Sequence, residues 1–346
     1  MFLFDNSGFT ATQLTTRAND AVRFPFMETI ARRLFSINSI TGHTAQVDRE
    51  SFGVKVLGST ARGATAADSG STRAKGTVPV NSVKIADRLV IKPAQMDGVR
   101  AVGLTDGAGV SLETMERLID KGLTEKFGNL DHTLEYLCMK LLSTGIFVDP
   151  TDDSPVANYP SLFGVSKPAQ VDLALWDTVD HENGALRARY HGALKNVRAG
   201  LGGTIASGYV ALYGSDSWEA VQAHPELRDA FQRKDDGSFL SSSSFDSVRA
   251  FGIEHVEYRG PGIGANEVVI VPLGVSGMLE IDLASGDKMG FTNREGEARY
   301  VIPKNADNPF QDFGEGAEWE VSSCPIVKNA RPEAVQVCTG GVDPAA

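Results

Sequence analysis

The chain has 346 residues, 42% hydrophobic and 22% charged, an ordinary composition for a folded protein and enough length for two or three domains. Its net charge of −11 is unevenly spread: residues 1–100 carry 13 Lys+Arg against 8 Asp+Glu, and the remainder carries 20 against 36. The acidic body disfavours tight nucleic-acid binding, which needs a basic surface to displace counterions, and no run reaches the roughly 18–20 apolar residues that cross a bilayer. A basic front and an acidic body predict that the first part lies against the second, within a chain or between copies.

Residues 1–40 read as an extended, irregular arm with one helical turn, in which Phe26, Met27, Ile30 and Leu34 share a face. Residues 51–57 alternate, with Phe52, Val54 and Val56 on one side. Residues 83–91 alternate too, with Val83, Ile85, Leu89 and Ile91 opposite Lys84, Arg88 and Lys92. Between them, positions 59–77 (STARGATAADSGSTRAKGT) hold no large apolar side chain, so nothing there offsets ordering entropy. The unit reads as a long β-hairpin with a mobile tip. Two strands alone are marginal in water, so the hairpin needs a surface to lie on, and a neighbouring copy would supply one.

Apolar residues from Met115 to Leu141 then recur at steps of three and four, with Ser111 as the expected N-cap. A helix over 112–143 would be about 48 Å long. Gly122 and Gly128 each weaken it by about 1 kcal/mol relative to Ala, so a bend is expected near them. GIFVDP and VDLALW read as strands around a polar turn. A second helix spans about 182–199 and stops at Gly200 and Gly202. YVALY, a helical SWEAVQAHPELRDAF, then IEHVEY, EVVIVPL and MLEIDLA complete an α+β block over about 182–300, and EWEVSSCPIV and AVQVCT return to strand character.

Motifs that carry chemistry are scarce. Gly260-Pro-Gly-Ile-Gly-Ala265 fits the loose GxGxx(G/A) pattern, but β-type residues follow it where a dinucleotide loop must open a helix, so a turn between strands is expected. GLGGTIASG follows a helix and reads as a helix stop. The six histidines (His43, His132, His181, His191, His224 and His255) form no HExxH and no close pair. Ser243 lacks a GxSxG elbow. Asp149, Asp152 and Asp153 could hold a cation, although the flanking prolines favour a turn. Cys138, Cys324 and Cys338 are isolated, which predicts neither a disulfide framework nor a zinc site and fits a reducing cytoplasm; Cys138 reads as core packing. The start MFLFDNSGFTATQL lacks the features of a signal peptide. No catalytic residue, cofactor or metal is expected.

Arm, hairpin with open tip, very long helix and α+β domain with a returning strand form an unusual order. That order resembles the α+β capsid fold of tailed double-stranded-DNA phages, the Hong Kong 97-like fold. The chain is similar, more specifically, to the lambda-type major capsid protein E family. EWEVSSCPIVKNARPEAVQV (318–337) resembles the family's aromatic strand, Ser-small-Pro step and final strand. GEARYVIP (296–303) resembles its arginine-aromatic-Pro segment, and FMETIARRLF and IKPAQ resemble its front helix turn and the Lys-Pro after the hairpin. Cys324 stands where a small alanine-like residue is usual, and the arm ahead of Phe26 is longer than typical.

The resemblance implies a non-enzymatic shell subunit. Its regions would be an N-terminal arm (1–40), an extended β-hairpin loop (41–100), a peripheral domain with the spine helix (101–181 and the return strands 311–346) and an axial domain (182–310). It also implies pentamers and hexamers in an icosahedral shell that encloses double-stranded DNA without sequence-specific binding. Portal, scaffold and decoration proteins would be partners, and the place would be the virion after assembly in the bacterial host cytoplasm. Together with the charge asymmetry, it makes Arg62, Arg73, Lys75, Lys84 and Arg88 candidates for contacts between subunits. Two other readings stay open at this point: the same fold in a cellular nanocompartment, and a hydrolase-like enzyme with a nucleophile and base scattered in sequence.

Overall fold

The computed structural model describes residues 15, 31–51, 74–92, 100–106, 109–112, 115–176, 184–227, 247–288, 291–292, 294–303 and 317–340. A helical turn, α1 (Ala31–Leu34), precedes β1 (Ser36–Ser39), β2 (Thr44–Ser51), β3 (Ala74–Asn81), β4 (Ile85–Ile91), β5 (Arg100–Asp106) and β6 (Gly109–Leu112). Helix α2 (Met115–Thr144) leads to β7 (Ile146–Val148), β8 (Pro155–Asn158), the short α3 (Tyr159–Leu162) and β9 (Val171–Asp172). Then come α4 (Ala185–Gly200), β10 (Gly208–Tyr213), α5 (Ser215–Ala223), β11 (Ser247–Ala250), β12 (Ile253–Glu257), β13 (Glu267–Leu273) and β14 (Leu279–Leu283). The chain closes with β15 (Tyr300–Pro303), β16 (Ala317–Ser323), β17 (Pro325–Asn329) and β18 (Gln336–Thr339). These elements fall into two compact units. The first holds Met1–Ala45, Asn81–Glu135 and Ile281–Ile326, and the second holds Gln46–Val80, Tyr136–Glu280 and Val327–Ala346.

In the first unit, β15, β16 and β4 form an antiparallel sheet in that order. Alternation puts Leu89, Ile91, Val301, Trp319 and Val321 on one face, where they pack with Ile119, Leu123 and Leu130 of α2. Trp319 is fully buried there. The helix is continuous through both glycines, without the expected break. Gly122 explains why a weak helix former is tolerated: a Cβ there would lie 2.5 Å from Leu89 Cδ1, so the glycine lets helix and strand approach closely. Ser111 is not the N-cap. It lies in β6, which pairs with β5, and α2 begins three residues after that strand ends.

The strand at 83–91 was expected to pair with 51–57. In the structure β4 pairs along its whole length with β16, and β2 pairs with β3. Both faces of the pattern account for this: the apolar face of β4 completes a core with β16 and α2, and its charged face meets the acidic face of β16. The expected strand at 52–57 and most of the expected tip lie outside the described residues, whereas 74–77, read as tip, belongs to β3.

The second unit is built on a six-stranded mixed sheet of order β11–β12–β10–β13–β18–β9. β10 is parallel to β12 and antiparallel to β13, and Val210–Tyr213 and Val268–Val271 are buried. One face of α4 supplies Leu186, Tyr190, Ala193, Leu194 and Val197 to this core. The last strand, β18, lies inside the sheet, antiparallel to β13 and parallel to β9.

The end of α2 is thoroughly capped in this unit. Gly145, at φ 79°, donates its N–H to Leu141 O at 2.7 Å, and Thr144 Oγ1 donates to Lys140 O at 2.7 Å. Lys167 Nζ donates to Leu142 O at 2.8 Å and to Ser143 O. Four terminal carbonyls thereby gain partners, and a cation sits at the negative end of the helix dipole. Burial pulls the Lys167 pKa down to about 8, against the opposing charge of Glu267.

Candidate functional site

The five predicted cations are treated differently by the fold. Arg62 and Arg73 lie outside the described residues, and Lys75 lies on β3. Lys84 and Arg88 are brought together on the outward face of the β4–β16 pair, each facing carboxylates of its own chain. Lys84 Nζ is 2.7 Å from Glu320 Oε1 and 3.5 Å from Asp287 Oδ2. Lys288 Nζ reaches the other Glu320 oxygen at 3.7 Å, and Arg88 Nε pairs with Glu318. The hydrogen bond from Lys84 to Glu320 raises the lysine's pKa, outweighing its own partial burial. Burial alone would push the Glu320 carboxyl up; Lys84 and Lys288 hold it below the usual range instead. On the helix-facing side of β4, Asp87 accepts from Asn129 Nδ2 at 3.0 Å and pairs with Lys126 at 3.2 Å.

Part of the charge asymmetry is therefore met inside one chain. Sequence reasoning missed two further ion pairs. Arg49 on β2 reaches Glu333 at 2.7 Å in the second unit. In the first unit, Arg299 Nη2 lies 2.7 Å from Asp131 Oδ2, with both side chains at most 4% exposed, and its guanidinium sits 4.6 Å above the Phe127 ring. Burial pushes the Asp131 carboxyl up to about 6, and Arg299 pulls the other way. A signal existed: Asp131 interrupts the apolar stripe of α2 between Leu130 and Leu134.

The residues considered for chemistry have structural partners. Gly262 packs directly on α2: a Cβ there would lie 2.9 Å from Met139 Cβ and 3.0 Å from Tyr136 O, and its φ is 98°. Gly214 meets Gly264 O in the same manner, at 2.1 Å from a built Cβ. The glycine-rich run is thus a bracket for backbone-to-backbone packing, and its resemblance to a phosphate loop ends with its composition. Asp149 and Asp152 accept the N–H groups of Thr151 and Ser154, two residues on, which closes a turn. Among the described residues no group of three or more His, Cys, Asp or Glu side chains could hold a metal ion.

His255 ends a buried relay. Its Nε2 donates to Ala250 O at 3.2 Å, which leaves Nδ1 to accept from Tyr213 Oη at 2.6 Å; Tyr190 Oη donates to Tyr213 Oη at 2.6 Å. Burial drives the His255 pKa down to about 4, with the Ala250 hydrogen bond opposing, and raises those of both tyrosines. The imidazole, neutral and 1% exposed, is in ring contact with both phenols and joins α4, β10 and β12.

Comparison with known proteins gives a consistent result. The sequence model of a family described as phage major capsid protein E matches residues 10–338. The capsid structure of the cyanophage P-SCSP1u superposes with a TM-score of 0.55 at 10% identity, covering 90% of this chain and 88% of that one. The capsid asymmetric unit of cyanophage Pam1 gives 0.51 at 12% identity, covering 94% and 96%. No curated protein sequence matches the chain.

Proposed function

The chain belongs to the phage major capsid protein E family, and from that premise we propose that it assembles as pentamers and hexamers into the icosahedral head of a tailed double-stranded-DNA phage. The observation that carries this reading is the family match over residues 10–338, which spans both compact units. Such a protein is a structural component of the virion. It works by association, and catalysis is no part of its role.

Within that reading the fold takes Hong Kong 97-like roles: arm at 1–40, extended loop at 41–100, spine helix in 101–181, axial domain at 182–310 and return strands at 311–346. The β2–β3 hairpin, the 30-residue α2 and the six-stranded sheet support this allocation. The shell encloses DNA through its geometry, since the acidic body offers no counterion-displacing surface. Portal, scaffold and decoration proteins are the expected partners, and assembly takes place in the host cytoplasm. Contacts between copies draw on the hairpin cations Arg62, Arg73 and Lys75. Lys84 and Arg88, already paired with β16, contribute through the balanced face they help to form. Sedimentation velocity of the purified chain, with and without a scaffold protein, tests the reading. Large assemblies are expected, and a ~37 kDa monomer at every concentration and salt would overturn it.

A further inference from the structure

Among the described residues, the sheet β15–β16–β4 ends at β15, and Thr15 meets its outer edge. Val301 N–H donates to Thr15 Oγ1 at 3.0 Å, and the same hydroxyl donates back to Val301 O at 3.4 Å. Thr15 is 1% exposed. Val301 faces Val321 across the ladder, and since both main-chain groups of Val301 turn to Thr15, this is a non-hydrogen-bonded pair. One hydroxyl therefore satisfies the donor and the acceptor that a fourth strand would otherwise engage.

The strand so engaged is fixed on its other sides. Arg299, just ahead of it, is held by Asp131 and Phe127. Tyr300 Oη donates to Ala284 O at 2.9 Å and accepts from Glu297 N–H at 2.8 Å. Open strand edges are templates for unwanted pairing, and covering them is a general remedy. A buried N–H and C=O left without partners would also carry a desolvation cost.

We propose that Thr15 is an edge latch: its hydroxyl stands in for a fourth strand on β15 and ties this residue to the first unit of its own chain. The latch belongs to the free subunit and does not depend on shell assembly, so its failure would leave the capsid reading intact.

Site-resolved hydrogen exchange on dilute, unassembled full-length protein tests it. Thr15→Val keeps the shape and removes the hydroxyl; Thr15→Ser keeps the hydroxyl. The Val301 amide is expected to exchange about tenfold faster in Thr15→Val than in the parent, the change that losing one hydrogen bond brings. Thr15→Ser should restore protection. The Val321 amide, which turns towards Asp87 on β4, serves as the folding control and should stay protected in all three proteins. Equal Val301 exchange in parent and Thr15→Val would overturn the proposal. Protection of Val301 that grows with protein concentration would overturn it too, because it would assign the hydroxyl to a second copy.

Discussion

Single residues explain features of the sequence that otherwise look like chemistry. Gly262 is a glycine because α2 leaves no room for a side chain and because its φ is positive. Gly262→Ala is expected to cost about 1–3 kcal/mol in urea unfolding through overpacking and backbone strain; a cost near zero would show that α2 and the loop are not in contact. Arg299→Met leaves Asp131 buried without its cation, and about 3–5 kcal/mol should be lost. His255 gives a pH signature. Its folded pKa, about 4, lies below the ordinary 6.5, so the unfolded chain binds more protons between those values. Stability from this group is complete above pH 6.5 and is lost as pH falls through 4. A thermal-melt series should show the decline on acidification, of order 3 kcal/mol at most, and His255→Gln should flatten it.

Elements differ in how far they can be read in advance. The α2 periodicity was plain because one apolar stripe faces one core, and the structure adds only a shift of its start and an intact passage through Gly122 and Gly128. The strand character of β4 was equally legible, from Ile85, Leu89 and Ile91. Its partner was not. Local alternation says which side is apolar and nothing about which distant strand completes the sheet, and β16 comes far later in the chain. The hairpin arms β2 and β3 were harder to read because their alternation is short, only Ala45 and Val47 in one and Val78 and Val80 in the other, and lacks large apolar side chains. The outward ladder of β4 and β16 yields its own expectation. In a double-mutant cycle, Lys84 and Glu320 should couple by about 0.2–1 kcal/mol, shrinking as salt is raised. Zero coupling at low salt would mean that the face is held by main-chain pairing alone.

At the scale of the molecule, part of the contrast between a basic front and an acidic body is met by local pairs, as with Arg49 and Glu333 or Lys84 and Glu320. The candidate site was legible as a charge pattern, but the intrachain partners of Lys84 and Arg88 were not, because Glu320 and Glu318 lie too far along the chain to leave a local signal. Arg62, Arg73 and Lys75 are proposed to act directly between copies, with Lys84 and Arg88 contributing through the face they form with β16. Changing the first three to Glu should leave a folded subunit by circular dichroism yet lower particle yield at low salt, with recovery as screening sets in over a Debye length of about 10 Å at 0.1 M. A parent-like yield at low salt would remove these cations from the assembly contacts. The central claim, a shell built from copies of this chain, is tested most directly by electron microscopy of the purified protein expressed with its scaffold. The account predicts closed particles of uniform diameter whose averaged images carry icosahedral symmetry; fields of dispersed single subunits under all conditions of salt and concentration would contradict it.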